Sequence, residues 1–348
     1  MDLKKLEKIF QSEKPFRLKQ AKQAIFRDLI ESWSEVTTLP IEIREKLTRE
    51  CPIEIKAEFF PDKDGKSAKA LIMLEDGLNV ETVLMKHYGR NTVCISSQIG
   101  CPLGCVFCAT GKMGFKRSLS FGEIVEQVLF WARYLKKEKQ RVHPVKSPAN
   151  AEVGGAEFNK VKNIVFMGMG EPFLNYDNVF ETIKILNDDN YLGIGARHIS
   201  ISTVGIIEGI ERMAEDMPQI NLAISLHAPE NELREKLMPI NKKYPLARIM
   251  MAAKDYVAKT NRKLMFEYIM IKGVNDSEKQ AKELVDILND RLFFVNLIVC
   301  NPTGIFEPSE PAQIKIFKDI LMKAGIQALE RYRFGQEVKG ACGQLAQQ

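Results

Sequence analysis

The chain has 348 residues, 45% hydrophobic and 27% charged, enough for a sizeable buried core in about two domains or one large α/β domain with an appendage. Its seven cysteines are irregularly spaced and it carries no charged-then-apolar leader or long apolar run, which speaks against secretion or membrane spanning and for a soluble protein of the reducing cytoplasm. A net charge of +5 permits a nucleic-acid partner without demanding one.

Residues 1–50 read as short helices, with Leu18, Ala21, Ile25 and Leu29 at helical spacing, and so as a small N-terminal helical domain. Its Lys14, Arg17, Lys19, Lys22 and Arg27 could grip phosphates, although solvated helix faces look the same. Over residues 51–90 the pattern changes to alternating strands, broken at Pro61-Asp62-Lys63-Asp64-Gly65 and Glu75-Asp76-Gly77, which predicts a β-hairpin or three-stranded linker. Glu81 stands in the last of these strands as a lone acid among apolar residues, a position that an edge strand would also explain.

From residue 91 to about 330 the rhythm is strand, loop, helix. Apolar, β-favouring runs fall at 92–96, 163–167, 198–203, 221–226, 263–271 and 294–299, with a candidate extension at 326–329. Ser120-Phe121-Gly122-Glu123 is a capping box, and Ala281, Leu284, Val285 and Leu288 form a buried helical stripe. Six repeats are too few to close an eight-stranded barrel, so the predicted fold is α/β, an open partial (βα)6 barrel with its chemistry at the strand C-termini. A polar loop at 136–161 breaks the rhythm and is expected to be mobile.

Three cysteines, Cys101, Cys105 and Cys108, follow the first barrel strand in a C-x3-C-x2-C loop. Three thiolates hold a 4Fe-4S cubane with one iron open, and that iron can chelate S-adenosylmethionine (SAM) and cleave it to a 5′-deoxyadenosyl radical. The competing reading is a structural zinc loop, but zinc needs a fourth ligand and no cysteine or histidine lies just downstream. Phe107 would shield a cluster from water, and Gly104 lets backbone approach the sulfurs.

The strand ends collect groups suited to SAM: Gly168-Met169-Gly170-Glu171-Pro172, Ser202-Thr203, Ser225-Leu226-His227 and Asn301-Pro302. The Glu171 carboxylate can meet an ammonium, and any single one of these residues is also explicable as an ordinary loop group. Cys94 stands on the strand before the cluster loop, and Cys342 lies among small residues near the end of the chain, a position suited to presentation on a flexible loop. Cys51 and Cys300 read as buried structural thiols.

Cys94-Ile95-Ser96-Ser97-Gln98, the cysteine loop, Cys108-Ala109-Thr110-Gly111, Gly168-Met169-Gly170-Glu171-Pro172, Ser225-Leu226-His227 and Ala341-Cys342-Gly343-Gln344-Leu345 together resemble the RlmN/Cfr family of radical-SAM RNA methyltransferases. The likeness spans nearly the whole chain. It implies methylation of adenosine at an unactivated ring carbon, at C2 in 23S rRNA and tRNA by RlmN or at C8 in 23S rRNA by Cfr. Proline after Glu171 favours the C2 branch. The implied equipment is one 4Fe-4S cluster on Cys101, Cys105 and Cys108, and a SAM pocket from Gly170, Glu171, Ser202, Ser225, Leu226, His227 and Asn301. In the family scheme a thiolate matching Cys342, on a C-terminal loop at 331–348, takes a methyl from one SAM. The radical from a second SAM activates that methyl toward adenine, Cys94 releases the product by forming a disulfide, and Glu81 matches the proton acceptor. The resemblance further implies a cytoplasmic monomer with no membrane partner, served by an electron donor such as flavodoxin or ferredoxin. A zinc-stabilised, non-catalytic RNA-binding protein is the reading from another class.

Overall fold

The computed structural model describes residues 1–87, 89–141, 160–301, 305–331, 335 and 337–346. Helices α1 (Leu3–Ile9), α2 (Pro15–Phe26) and α3 (Ile41–Glu50) open the chain. Asp2 caps the first, its carboxylate accepting the Lys5 N–H at 3.0 Å and satisfying a donor that the helix start leaves open. Their apolar faces enclose Trp33 with Leu6, Ile25 and Leu47.

Strands β1 (Ala57–Pro61), β2 (Ser67–Met73), β3 (Asn79–His87) and β4 (Arg90–Ile95) pair antiparallel in sequence. The expected linker is therefore a continuation of the main sheet: β3 meets β4 with Val83 opposite Cys94, which also removes the edge-strand explanation for Glu81. The cysteine loop follows, framed by the paired strands β5 (Gln98–Gly100) and β6 (Phe115–Ser118) and holding the one-turn helix α4 (Ala109–Lys112). Helix α5 (Phe121–Arg141) starts at the expected capping box, with Ser120 N–H on Glu123 Oε2 at 2.8 Å and Glu123 N–H on Ser120 Oγ at 3.3 Å. It carries Val125 and Leu129 into the core of the N-terminal helices. Residues 136–141 of the loop expected at 136–161 thus belong to a helix, and 142–159 lie outside the described residues.

Strand and helix then alternate. β7 (Val161–Phe166), α6 (Tyr176–Asn187), β8 (Ile199–Thr203), α7 (Ile207–Asp216), β9 (Asn221–Ser225), α8 (Asn231–Leu237) and α9 (Leu246–Thr260) come first. β10 (Leu264–Met270), α10 (Glu278–Ile287), β11 (Phe293–Val299), α11 (Pro311–Lys323) and β12 (Gln327–Glu330) follow. The described residues form one ten-stranded sheet in the order β1-β2-β3-β4-β7-β8-β9-β10-β11-β12, parallel from β4 onward. All six expected runs are strands, and the 326–329 run supplies a seventh parallel one.

Period-two alternation sorts the side chains. Ile164, Phe166, Ile201, Ile224, Phe266 and Leu297 are fully buried toward the helices, and burying each stabilises the fold by about 1.5–3 kcal/mol. The intervening residues face the other way. On β3, Thr82 accepts the Trp131 N–H from α5 at 3.1 Å, so Glu81, Val83 and Met85 point to the opposite, inner side. Met85 and Cys94 there share a cavity with Ile298, Val299 and Arg331 from the far end of the sheet, so the sheet curls into an open barrel. Among the described residues no helix is long and apolar enough to cross a membrane.

Candidate active site

Cys101, Cys105 and Cys108 line a cavity of about 130 Å³ together with Gly170, Glu171, Ser202, Ser225, His227 and Cys342. Gly104 takes φ +61°, which turns the loop so that the Cys108 N–H reaches the Cys105 carbonyl at 3.1 Å. Burial pushes the Cys101 thiol up to about 12 and the Cys105 thiol higher still, with the neighbouring sulfurs adding to both shifts. Such thiols ionise when a cationic group binds. A cubane takes each thiolate on a separate iron, so three thiols lining one cavity fit it. Phe107 is buried with its ring edge-on to His227, centroids 4.9 Å apart.

The strand ends are tied together by buried hydrogen bonds. Glu171 is buried, its Oε1 accepting the Phe173 N–H at 3.1 Å and its Oε2 the Val204 N–H at 2.9 Å. The ammonium partner expected from sequence must therefore use the lone pairs that remain. Burial outweighs these bonds and pushes the Glu171 carboxyl up to about 7. Gly170 has φ +97°, and a Cβ there would meet Gln98 Cβ at 2.5 Å. The Ser202 hydroxyl donates to Glu267 Oε2 at 2.8 Å. His227, at φ +61°, accepts the Ile269 N–H on Nδ1 at 3.1 Å, and burial, then Arg234, lowers its pKa to about 3, so the ring is neutral. Leu226 departs from the expected pocket: it is fully buried, turns into the core and offers only backbone.

Buried Arg234 organises this region. Its guanidinium donates to the carbonyls of Leu226 (3.1 Å), Ser225 (3.1 Å) and Val204 (2.6 Å) and to Asn241 Oδ1 (2.9 Å). Burial lowers its pKa to about 10, which leaves it charged.

A second cavity, of about 40 Å³, is lined by Cys94, Met167, Asn301, Arg331 and Cys342. Asn301 thus belongs beside the cysteine pair, where its amide donates to the Cys342 carbonyl at 3.1 Å. The Cys342 side chain is exposed to these cavities yet surrounded by protein, which pushes its thiol up to about 11, while Cys94, fully enclosed, reaches about 12. Arg331 opposes both shifts and is itself held by Glu267 at 3.2 Å and Met167 Sδ at 3.3 Å. Glu81 is 1% exposed and lies outside both cavity walls among the described residues. Its Oε1 accepts from Lys69 Nζ at 2.7 Å, and its Oε2 has no hydrogen-bond partner among the described residues. Lys69, Arg234, Glu267 and Arg331 were missed from sequence; Glu267, a lone acid in an apolar strand like Glu81, carried the same signal.

The candidate phosphate contacts of the N-terminal helices divide: Lys14 and Lys19 are exposed, whereas Arg17 is held by Glu13, Lys22 by Glu7, and Arg27 donates to the Asp189 carbonyl. Beside the cysteine loop Lys116 is exposed, whereas Arg117 is held by Glu123 at 2.7 Å and Asp76 at 2.6 Å.

An open parallel barrel with three cysteines leaving its first parallel strand defines a radical SAM enzyme, a class that uses a 4Fe-4S cluster and SAM. Residues 95–285 match the Radical SAM superfamily. The chain is 41% identical over 96% of its length, and 91% of the relative's, to a "Probable dual-specificity RNA methyltransferase RlmN" of Dictyoglomus thermophilum. It is 41% identical over 90% of its length, and 87% of the relative's, to a "Ribosomal RNA large subunit methyltransferase N" of Nitrosopumilus maritimus. The crystal structure of a radical SAM methyltransferase from Sphaerobacter thermophilus superposes with a TM-score of 0.91 at 37% identity, covering 100% of this chain and 98% of that one. The chain belongs to the RlmN family of radical SAM RNA methyltransferases.

Proposed function

We propose that this chain methylates C2 of adenosine in 23S rRNA and in tRNA, consuming two SAM molecules per turnover and carrying the methyl group on Cys342. What supports this reading is the position of Cys342 between two cavities, one shared with Cys101, Cys105 and Cys108 and the other with Cys94. When bound to those three thiolates, the cluster supplies the electron that cleaves SAM. The chain's own groups do the rest. Glu171, Ser202 and Ser225 orient SAM; Arg331 favours the thiolate that Cys342 needs to accept a methyl from a sulfonium. An electron-poor aromatic carbon cannot take that methyl directly, which is why a carrier is needed. Glu81, with one oxygen pinned by Lys69 and the other unpartnered among the described residues, is the group to take the proton from the ring carbon, a role that requires its carboxylate to turn toward the cavity walls it does not line in this structure. Removal of one hydrogen atom from the S-methyl of Cys342 by the radical from the second SAM lets that carbon bond to C2, with one electron of the adduct going to the cluster left oxidised by SAM cleavage and the C2 proton to Glu81. The Cys94 thiolate then attacks the Cys342 sulfur, an S–S bond replacing the S–C bond, and the released carbon takes up a proton as the new methyl group.

In this reading residues 1–50 dock RNA, the strands within 51–90 extend the sheet of the barrel at 91–330, and 331–348 present the carrier cysteine. The protein works as a cytoplasmic monomer reduced by flavodoxin or ferredoxin. Mass spectrometry of 23S rRNA and tRNA from cells with and without the chain tests the proposal. The result expected is 2-methyladenosine that depends on the chain in both RNAs; 8-methyladenosine, or no change, would overturn it.

A further inference from the structure

The described residues of the tail that carries Cys342, 335 and 337–346, belong to no helix or strand, and hydrogen bonds fasten them to the rest of the chain. Two of them come from the residues directly after Cys108. The Ala109 N–H, which a four-residue helix leaves without an internal acceptor, donates to the Gly343 carbonyl at 2.8 Å. The Thr110 hydroxyl donates to the Leu345 carbonyl at 2.6 Å, and both Thr110 and Leu345 are buried. Between these anchors the Gln344 N–H closes a turn on the Ala341 carbonyl at 3.0 Å. Cys342 therefore stands on a turn whose far side is fastened to the loop carrying the third cluster cysteine.

We propose that Thr110 is a positioning residue for Cys342: it clasps the tail to the cluster loop, so that the order of that loop sets where the carrier thiol is presented. This rests on the reading of Cys342 as methyl carrier. A loop that relaxes around Cys108 carries Ala109 and Thr110 with it, and the tail follows. Thr110→Val keeps the branched shape and removes only the hydroxyl, leaving the Leu345 carbonyl without its donor; a hydrogen bond of this kind is worth about fivefold in the ratio of docked to undocked tail.

The test uses the full chain, reconstituted anaerobically, as wild type, Thr110→Val and Thr110→Ser. Three quantities are measured: iron and sulfide per chain, methylation of Cys342 by SAM from the mass of the tail peptide, and alkylation of Cys342 by iodoacetamide with and without the cluster. The expected result for Thr110→Val is wild-type iron content, slower methylation of Cys342 and alkylation accelerated by up to about fivefold. Thr110→Ser restores both rates. In the wild type, which needs no variant, removing the cluster accelerates alkylation of Cys342. Wild-type rates in Thr110→Val, iron loss in step with methylation, failure of Thr110→Ser to rescue, or wild-type alkylation indifferent to the cluster would each overturn the clasp. A wild-type chain that never methylates Cys342 would instead overturn the carrier reading, and the alkylation rates, which need no methyl, would still decide the clasp.

Discussion

Replacing Glu171 with glutamine removes one charge and turns one of two accepting oxygens into an NH2, a pH-independent cost that leaves the pH dependence readable, and the structure says what should follow. Burial raises the Glu171 carboxyl from 4.5 to about 7 despite its bonds to the Phe173 and Val204 amides. The folded chain thus holds this proton more tightly than the unfolded chain. The stability it contributes is full below 4.5 and is lost as pH rises through about 7. Integrated over that interval the loss is about 3 kcal/mol, or roughly 4 °C in Tm for a chain of this length. Glu171→Gln cannot lose it, so the Tm of the variant relative to wild type should climb by about that much between pH 4.5 and pH 8, the titrations common to both cancelling. Ligand binding should show the mirror image. If the ionised carboxylate meets the SAM ammonium, wild-type affinity tightens as the ionised fraction grows, roughly eightfold from pH 6 to pH 7.5. Glu171→Gln should lose that dependence and bind about tenfold more weakly at pH 7.5. Differential scanning calorimetry and anaerobic SAM titration read the two effects. A pH-independent Tm difference would refute the buried titration, and a flat wild-type affinity would remove Glu171 from the ammonium site.

Cys105→Ala should abolish both iron loading and SAM cleavage, checked by iron analysis and 5′-deoxyadenosine release; a full cluster in the variant would contradict the ligand set. Cys94→Ala should still methylate Cys342 but stall as a protein–RNA adduct that survives denaturing gels and is released by nuclease, whereas Cys342→Ala should form none. Arg234→Met leaves the Val204, Ser225 and Leu226 carbonyls without their donor, so it should lower stability by at least about 3 kcal/mol, seen as a shift in urea midpoint. A chain starting at residue 52 uncovers Val125 and Leu129, both buried against the N-terminal helices, and should lose about 3 kcal/mol or more of stability as well as RNA affinity.

The parts of this site legible in the sequence are those fixed by short-range spacing. C-x3-C-x2-C needs only a loop to bring three thiols to one cavity, and a strand that ends in a polar residue announces where the barrel mouth lies. Period-two alternation then predicts that Glu81 and Glu267 point inward, since each occupies the register opposite to its fully buried neighbours. Their partners are another matter. Lys69 reaches Glu81 diagonally across the β2–β3 ladder, where Lys69 pairs with Val83 and Glu81 with Leu71. Arg331, beyond β12, reaches Glu267 on β10 from two strands away. Register between strands, and above all between strands that do not touch, is set by the curl of the whole sheet, which no local period encodes.

A lone acid in an inward register nevertheless carries information, because an uncompensated carboxylate would be too costly inside a barrel. It demands a cation within reach on the same inner face, and Glu81 and Glu267 have found Lys69 and Arg331. The consequence reaches the substrate. Paired in this way, Glu81 with Lys69 and Glu267 with Arg331 contribute little net field to draw in a polyanion, and the carboxylates of Glu123 and Asp76 cancel Arg117 at the edge of the cysteine loop. Phosphate attraction then falls to exposed lysines such as Lys14, Lys19 and Lys116, whose contributions are individually weak and screened by salt. RNA affinity should therefore fall steeply with ionic strength while SAM affinity, set by groups enclosed within the barrel, barely moves; equal salt dependence for the two ligands would show that the interior pairs do not stay closed when RNA binds.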